Sequence, residues 1–179
     1  GFGVKRFNLM YNDFIIVGPK NNSAKIIISD NPEDAFKKIF NTSSIFISRG
    51  DDSGTHFKEM SIWTKAELKP RQFSGSWYRE VGSGMGATLN LASGMGGYTI
   101  TDRASWVNFS NKNDLKILTE KNKLLFNQYG ITMVNPLKCP NTNSNDAKKF
   151  INWLISPKGQ DKIKNFKVKN QQLFFPNAN

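Results

Sequence analysis

Nine residues constrain this chain more than any others: Ser48-Arg49-Gly50-Asp51-Asp52-Ser53-Gly54-Thr55-His56. A short apolar run, Ile45-Phe46-Ile47, precedes them, and a segment with helical spacing follows. A strand, then a polar glycine-bearing turn, then a helix makes an anion site largely from backbone. The first turn of a helix carries N–H groups with no internal partner, and the helix dipole places partial positive charge at the same end. Ser53 and Thr55 add hydroxyl donors, and Gly54 removes the side chain that would hold a ligand off the backbone. Arg49 adds a permanent cation with a planar fork suited to an oxyanion. The candidate ligand-binding residues are therefore Arg49, Ser53, Gly54 and Thr55, with Ser48 in second rank.

Plainer readings compete. Ser53 is among the best residues for a helix N-cap and needs no ligand to explain it. Arg49 can pair with Asp51 or Asp52 as a solvated ion pair of little energetic weight. Ser53 and His56, the only histidine, could be a nucleophile and its base. Three residues apart at a helix end, however, they do not set up a base oriented by a third group.

A second stretch repeats the pattern. Trp77-Tyr78-Arg79-Glu80-Val81 leads into Gly82-Ser83-Gly84-Met85-Gly86 and then into the helical Ala87-Thr88-Leu89-Asn90-Leu91-Ala92. A second helix N-terminus would donate further N–H groups, which makes Ser83, Met85 and Gly86 second-rank ligand-binding candidates. The alternative, glycines that only permit a tight turn and close packing, has equal standing. No Gly-Lys-Ser/Thr follows, so this is not a Walker motif.

The remaining chain alternates strands and helices. Phe7 to Val17 reads as a strand ended by Gly18-Pro19. Lys20 to Asp30 reads as a loop or short strand. Asn31-Pro32-Glu33 opens a helix with Ala35, Phe36, Ile39 and Phe40 on its apolar face. The helix after Thr55 is expected to reach about Leu68, turning Phe57, Met60, Trp63 and Ala66 inward, with Pro70 as its stop. Strands are expected at Tyr98–Thr101, Leu115–Leu118 and Gln128–Asn135, and a helix opening on Asp102 as N-cap. Arg103 beside it reads as a structural partner for an acid. Asn143 to Asn165 carries two helical pieces parted by Pro157-Lys158-Gly159, the first with Ala147, Phe150, Ile151 and Leu154 on one face. This alternation predicts an α/β fold with a mixed or parallel sheet, and ligands there bind beyond the carboxyl ends of strands.

Composition narrows the function classes. A chain of 179 residues can enclose a core, and 38% hydrophobic content marks it as globular. A single cysteine, Cys139, excludes an internal disulfide and a cysteine metal cluster, and reads as a packing residue. No run approaches the ~20 apolar residues of a membrane helix. The formal charge of +11 favours anionic partners. The lysines are scattered, though, and no basic region, zinc-finger spacing or RNA-binding aromatic motif accompanies them, which argues against nucleic acid.

The string Arg49-x-Asp51-x-Ser53-Gly54-Thr55 resembles the oxyanion loop of periplasmic phosphate-binding proteins. Met10-Tyr11-Asn12-Asp13-Phe14-Ile15-Ile16-Val17-Gly18-Pro19, Gly84-Met85-Gly86-Ala87-Thr88-Leu89-Asn90, Tyr98-Thr99-Ile100-Thr101-Asp102-Arg103 and Gln172-Leu173-Phe174-Phe175-Pro176 are similar to one branch of that superfamily. That branch is the tungstate-binding proteins of tungstate ABC importers. The resemblance implies a periplasmic-binding-protein-like α/β fold of type II, two lobes with a hinge. Residues 1–11 would be a remnant of lobe I and a crossing strand, residues 12–127 the oxyanion-binding lobe II, and residues 128–179 the return crossing and the C-terminal part of lobe I. The first part of lobe I, with a Thr/Ser-rich turn that supplies the family's other anion-binding loop, is expected to be absent from this sequence.

It further implies an extracytoplasmic, non-enzymatic solute receptor, monomeric, with a membrane lipoprotein anchor as one form of the full-length protein. Such a receptor captures a tetrahedral oxyanion, tungstate first and molybdate next, for an ABC transporter permease. It needs no cofactor, and no metal apart from the oxyanion itself. Asp51 is expected to orient Arg49 without touching the ligand. A donor-only shell suits a fully deprotonated anion; monoprotonated phosphate would need an acceptor such as Asp51 or Asp52 turned inward. A phosphate-binding protein or the oxyanion-sensing domain of a regulator are the alternatives, and a basic nucleic-acid-binding domain ranks below them.

Overall fold

A computed structural model describes residues 1–178. The chain divides into two compact units, residues 13–126 and residues 1–12 with 127–179.

The 13–126 unit is a three-layer α/β/α arrangement, and its strands show why. Strand β1 (Gly3–Pro19) enters it at Asp13 and pairs antiparallel with β4 (Thr99–Asp102) on one side and with β5 (Leu115–Thr119) on the other. Strands β2 (Phe46–Ser48) and β3 (Tyr78–Glu80) pair in parallel, and a parallel bridge from Phe46 to Tyr98 joins β2 to the start of β4. Successive strand residues point to opposite faces. Ile16, Phe46 and Ile100 therefore fall in one buried cluster, and Ile15, Val17 and Ile47 in another. Helices α1 (Pro32–Asn41) and α2 (Gly54–Lys65) close the first with Phe36, Ile39, Ile62 and Trp63. Helices α3 (Met85–Met95) and α4 (Arg103–Asn108) close the second with Met85, Leu89, Ala92 and Trp106.

Helix starts follow the local chemistry. Asn31, Ser53 and Asp102 each accept a backbone N–H three residues on, capping α1, α2 and α4. Arg103 has the acidic partner expected of it: its guanidinium grips Asp13 and Glu120, and Asp13 foremost raises its already high pKa.

In the other unit, β1 pairs with β6 (Phe126–Val134) and, at Met10 and Tyr11, with β9 (Phe175–Pro176). Helices α5 (Ser144–Ile155) and α6 (Pro157–Asn165) follow, capped by Asn143 and Ser156, and a small ribbon of β7 (Lys167–Val168) and β8 (Gln171–Gln172) precedes β9.

Several expectations need correction. Strand β1 starts at Gly3 rather than Phe7. Helix α2 ends at Lys65, and Pro70 opens a 3₁₀ turn instead of meeting the helix. Phe57 is not inward but 65% exposed. The buried stripe of α2 runs through His56, Glu59, Ile62, Trp63 and Ala66, and Phe57 lies off that row. Phe150 is likewise 57% exposed, because only Ile151 of the expected α5 face is fully enclosed.

Candidate functional site

The parallel pairing of β2 with β3 settles where the glycine loops lie. Ser48 sits opposite Glu80, and the N–H groups of Val81 and Gly82 bond to the carbonyls of Ser48 and Arg49, both at 3.0 Å. Both loops thus leave the carboxyl end of the same two-stranded ladder, each turning into a helix N-terminus. Gly50 makes that closeness possible. Its φ is +59°, and a Cβ there would meet Cβ of Glu80 at 3.0 Å.

The first loop is tied internally, and what is left untied defines the site. Arg49 donates through Nε to Oδ2 of Asp51 at 2.8 Å. The other Asp51 oxygen accepts the Ser53 N–H at 3.2 Å. Burial tends to raise the Asp51 pKa, but the Ser53 bonds and the Arg49 charge outweigh it and hold the carboxyl below its ordinary range. Asp51 thus holds the Arg49 side chain through one oxygen and the Ser53 N–H through the other.

Ser53 is the cap of the plain reading: its Oγ accepts the His56 N–H at 3.3 Å. An accepting hydroxyl keeps its hydrogen, which can go to Asp51 or turn outward to a ligand. Among the described residues, the terminal nitrogens of Arg49, the N–H groups of Gly54 and Thr55 and the Thr55 hydroxyl have no protein acceptor. A Cβ added at Gly54 meets nothing within 4 Å. The unmatched donors of the α2 N-terminus thus adjoin open space.

The second loop contributes less. Helix α3 has Gly84 at its N-cap with no side-chain cap bond, and Cβ atoms at Gly84 and Gly86 would also meet open space. Ser83 is exposed, whereas the Met85 side chain lies in the core and can offer only its N–H. Ser48 is placed differently from the expectation: fully buried, it donates to Oε2 of Glu59 at 2.8 Å and so faces away from an anion at the loop.

Glu59 is the residue that sequence reasoning missed. It is completely buried, and besides Ser48 it accepts from Nε1 of Trp63 at 3.1 Å and from the Tyr78 hydroxyl at 2.8 Å, both at Oε1. Burial pushes its pKa up to about 7 against the three hydrogen bonds, with the Glu80 charge adding to the rise. Burial, and then the Glu59 charge, push the Tyr78 hydroxyl up as well. Glu59 anchors α2 to β2 and β3 directly behind the loop. Its one sequence signal is its place four residues before Trp63 on the buried stripe.

The nucleophile reading finds no geometry. The nearly buried His56 ring directs Nδ1 to the Asp52 N–H at 3.0 Å and Nε2 to Nη2 of Arg71 at 3.2 Å, not to Ser53 Oγ. Arg71 in turn lies 3.3 Å from Glu80, which also accepts from Ser74. Among the described residues no His, Cys, Asp and Glu group is arranged to hold a metal ion, and no helix is long and apolar enough to cross a membrane.

The family signature of the PBP superfamily domain matches residues 1–158. The tungstate-binding protein TupA of Peptoclostridium acidaminophilum is 43% identical over 183 residues, covering 99% of this chain and 63% of that protein. The solved tungstate-binding protein TupA from Desulfovibrio alaskensis G20 is 43% identical with a TM-score of 0.83, covering 100% of this chain and 72% of that one. The solved tungstate ABC transporter protein from Geobacter sulfurreducens is 43% identical with a TM-score of 0.81, covering 93% and 69%. The chain spans between about half and two thirds of the curated relatives it matches, 53% of one from Haloferax volcanii and 66% of one from Campylobacter jejuni.

Proposed function

The chain belongs to the PBP superfamily, and from that premise we propose that it captures a tetrahedral oxyanion, tungstate first and molybdate next, for delivery to an ABC transporter permease. The observation that carries this reading is the open, unmatched donor set at the α2 N-terminus, with Arg49 held beside it by Asp51. Arg49 pairs with the dianion through its terminal nitrogens. The N–H groups of Gly54 and Thr55 and the hydroxyls of Ser53 and Thr55 donate to its oxygens, and the N–H groups of the α3 turn extend the shell. Charge-assisted bonds of this kind are roughly twice as strong as neutral ones.

The choice among anions rests on acceptors. Monoprotonated phosphate needs one in the shell. Each Asp51 oxygen already accepts one donor, the Arg49 Nε–H or the Ser53 N–H, and the Asp52 carboxylate is 83% exposed beside the His56 ring. The proposed ligand contacts are all donors, which suits a fully deprotonated oxyanion, and tungstate is what the names of the relatives specify. Capture involves no reaction of the ligand and no cofactor. The 13–126 unit corresponds to the oxyanion-binding lobe, and the working place of such a receptor is extracytoplasmic.

Thermal unfolding with tungstate, molybdate, phosphate and sulfate at matched ionic strength tests this. Tungstate at 100 times its dissociation constant stabilises by about 2.7 kcal/mol. Arg49→Ala abolishes that gain and leaves the ligand-free melting curve in place, because Arg49 lies outside the core. No shift with any anion, or a full shift in Arg49→Ala, overturns the assignment.

A further inference from the structure

We propose that His56 is a positioning residue that clasps the oxyanion loop through the backbone of Asp52, and thereby sets the direction of the ligand-binding donors. This rests on the oxyanion reading of the same site.

The loop contains a conformation that needs holding. Asp52 has a φ of +54°, the left-handed region that non-glycine residues rarely adopt, and Gly50, two residues earlier, is left-handed at +59°. The chain therefore reverses twice between Arg49 and Ser53, and the Ser53–Gly54–Thr55 peptides take their aim from those reversals. His56 closes this segment from two directions. Its backbone N–H binds Ser53 Oγ, and its side chain accepts the Asp52 N–H at Nδ1 at 3.0 Å. His56 is only 2% exposed, so its ring is a fixed point rather than a swinging arm.

The bond also edits the donor set. With the Ser53 N–H taken by Asp51 and the Asp52 N–H taken by His56, the unmatched backbone donors named above are those of Gly54 and Thr55.

The two contacts of the ring compete. A neutral imidazole has one lone pair and one N–H. The Asp52 hydrogen is fixed by the backbone, so accepting it puts the ring proton on Nε2, donor against donor with Arg71 at 3.2 Å. The other tautomer would accept from Arg71 and turn Nδ1–H toward the Asp52 carboxylate at 3.3 Å, leaving the Asp52 N–H without a partner. Leaving this partly buried backbone donor without a partner is the costlier outcome, because Arg71 is half-exposed and also pairs with Glu80. The clasp is therefore the Asp52 bond, and the Arg71 contact is dispensable.

Isosteric variants separate the two. Asparagine places its carbonyl where Nδ1 stands, and glutamine reaches the position of Nε2. In titration calorimetry of the full chain with tungstate, His56→Asn stays within about threefold of the parent affinity, and His56→Gln loses about tenfold or more. Amide hydrogen exchange at Asp52, measured without ligand, stays protected in His56→Asn and becomes fast in His56→Gln. Glutamine rescuing where asparagine does not, or equal Asp52 protection in all three proteins, overturns the clasp. A parent chain that binds no tungstate sinks the oxyanion reading instead, and the exchange experiment still decides the role of His56. Melting temperatures of both variants identify an effect of global stability alone: a lower melting point with unchanged affinity and unchanged Asp52 exchange counts against the proposal.

Discussion

Residues 13–126 enclose Phe36, Trp63, Tyr78 and Tyr98 completely, whereas residues 1–12 and 127–179 leave Leu137, Phe150 and Phe166 more than half in solvent and Trp153 partly so. Both buried clusters of the chain belong to the first unit. In the second, Ile151 and Leu173 are the enclosed apolar side chains among the described residues. The same unit has a largely apolar hollow of about 320 Å³, lined by Met10, Trp153, Leu154, Ile163, Phe166 and Phe174. Charge runs the other way. The second unit has ten Lys and Arg against two Asp and Glu, and the first has 15 against 12. The proposed donor set for an anion thus stands on the well-packed, nearly balanced unit. Site strength then follows from fixed donor geometry rather than from net charge.

The sharpest way to break this comparison is to remove one tryptophan from each unit. Trp63 packs against Phe36, Phe46, Trp77 and Tyr78 and donates to Glu59. Trp63→Ala should cost about 3–5 kcal/mol in urea unfolding, as large aromatic truncations in closed cores do. Trp153 is 42% exposed and, among the described residues, stacks on the exposed Phe150. Trp153→Ala should cost about 1 kcal/mol or less. Equal losses would mean that the two units are equally well packed.

Glu59 sharpens the same contrast through pH. Its carboxyl is raised from 4.5 to about 7 in the folded chain. The folded protein therefore holds a proton that the unfolded one has released. Stability from this group is complete below pH 4.5 and is lost as pH rises through 7. The linked change is up to about 3 kcal/mol. Glu59→Gln, which keeps a carbonyl acceptor for Trp63 and Tyr78, removes that slope. The measurement is the stability difference between parent and Glu59→Gln at pH 5 and pH 8. A difference that does not move with pH would show that the carboxyl does not titrate there.

What the sequence made legible was local. Ser53, Gly54 and Thr55 are readable because caps and unpartnered N–H groups follow from a few neighbouring residues. The α/β class followed from alternation of strand and helix signals. The missed features depend on distant partners. Glu59 reads as an ordinary polar helix residue until Ser48, 11 residues away, and Tyr78, 19 away, are brought to it. The direction of the Ser48 side chain depends on the same distant partner. Helical spacing alone does not say which of two neighbouring stripes the core accepts, and Phe57 lies on the one it leaves in solvent. The left-handed Asp52 and its bond to His56 lie within five residues, yet aspartate's raised tendency to that conformation does not say which of Asp51 and Asp52 adopts it.

The smallest expected effect is the most informative about the open unit. Phe150→Ser removes a large apolar side chain that is 57% exposed. In a closed core such a change would cost several kcal/mol, but here the ring already contacts water and the loss should stay within about 0.5 kcal/mol. Binding of a fluorescent apolar dye should fall at the same time, since Phe150 and Trp153 form a stacked, exposed pair. Tungstate affinity should not change, because every proposed ligand residue lies in 13–126. A loss of 2 kcal/mol or more would mean that this face is covered in solution and that its exposure is not a property of the folded chain. The contrast between the two units would then shrink to one of charge alone.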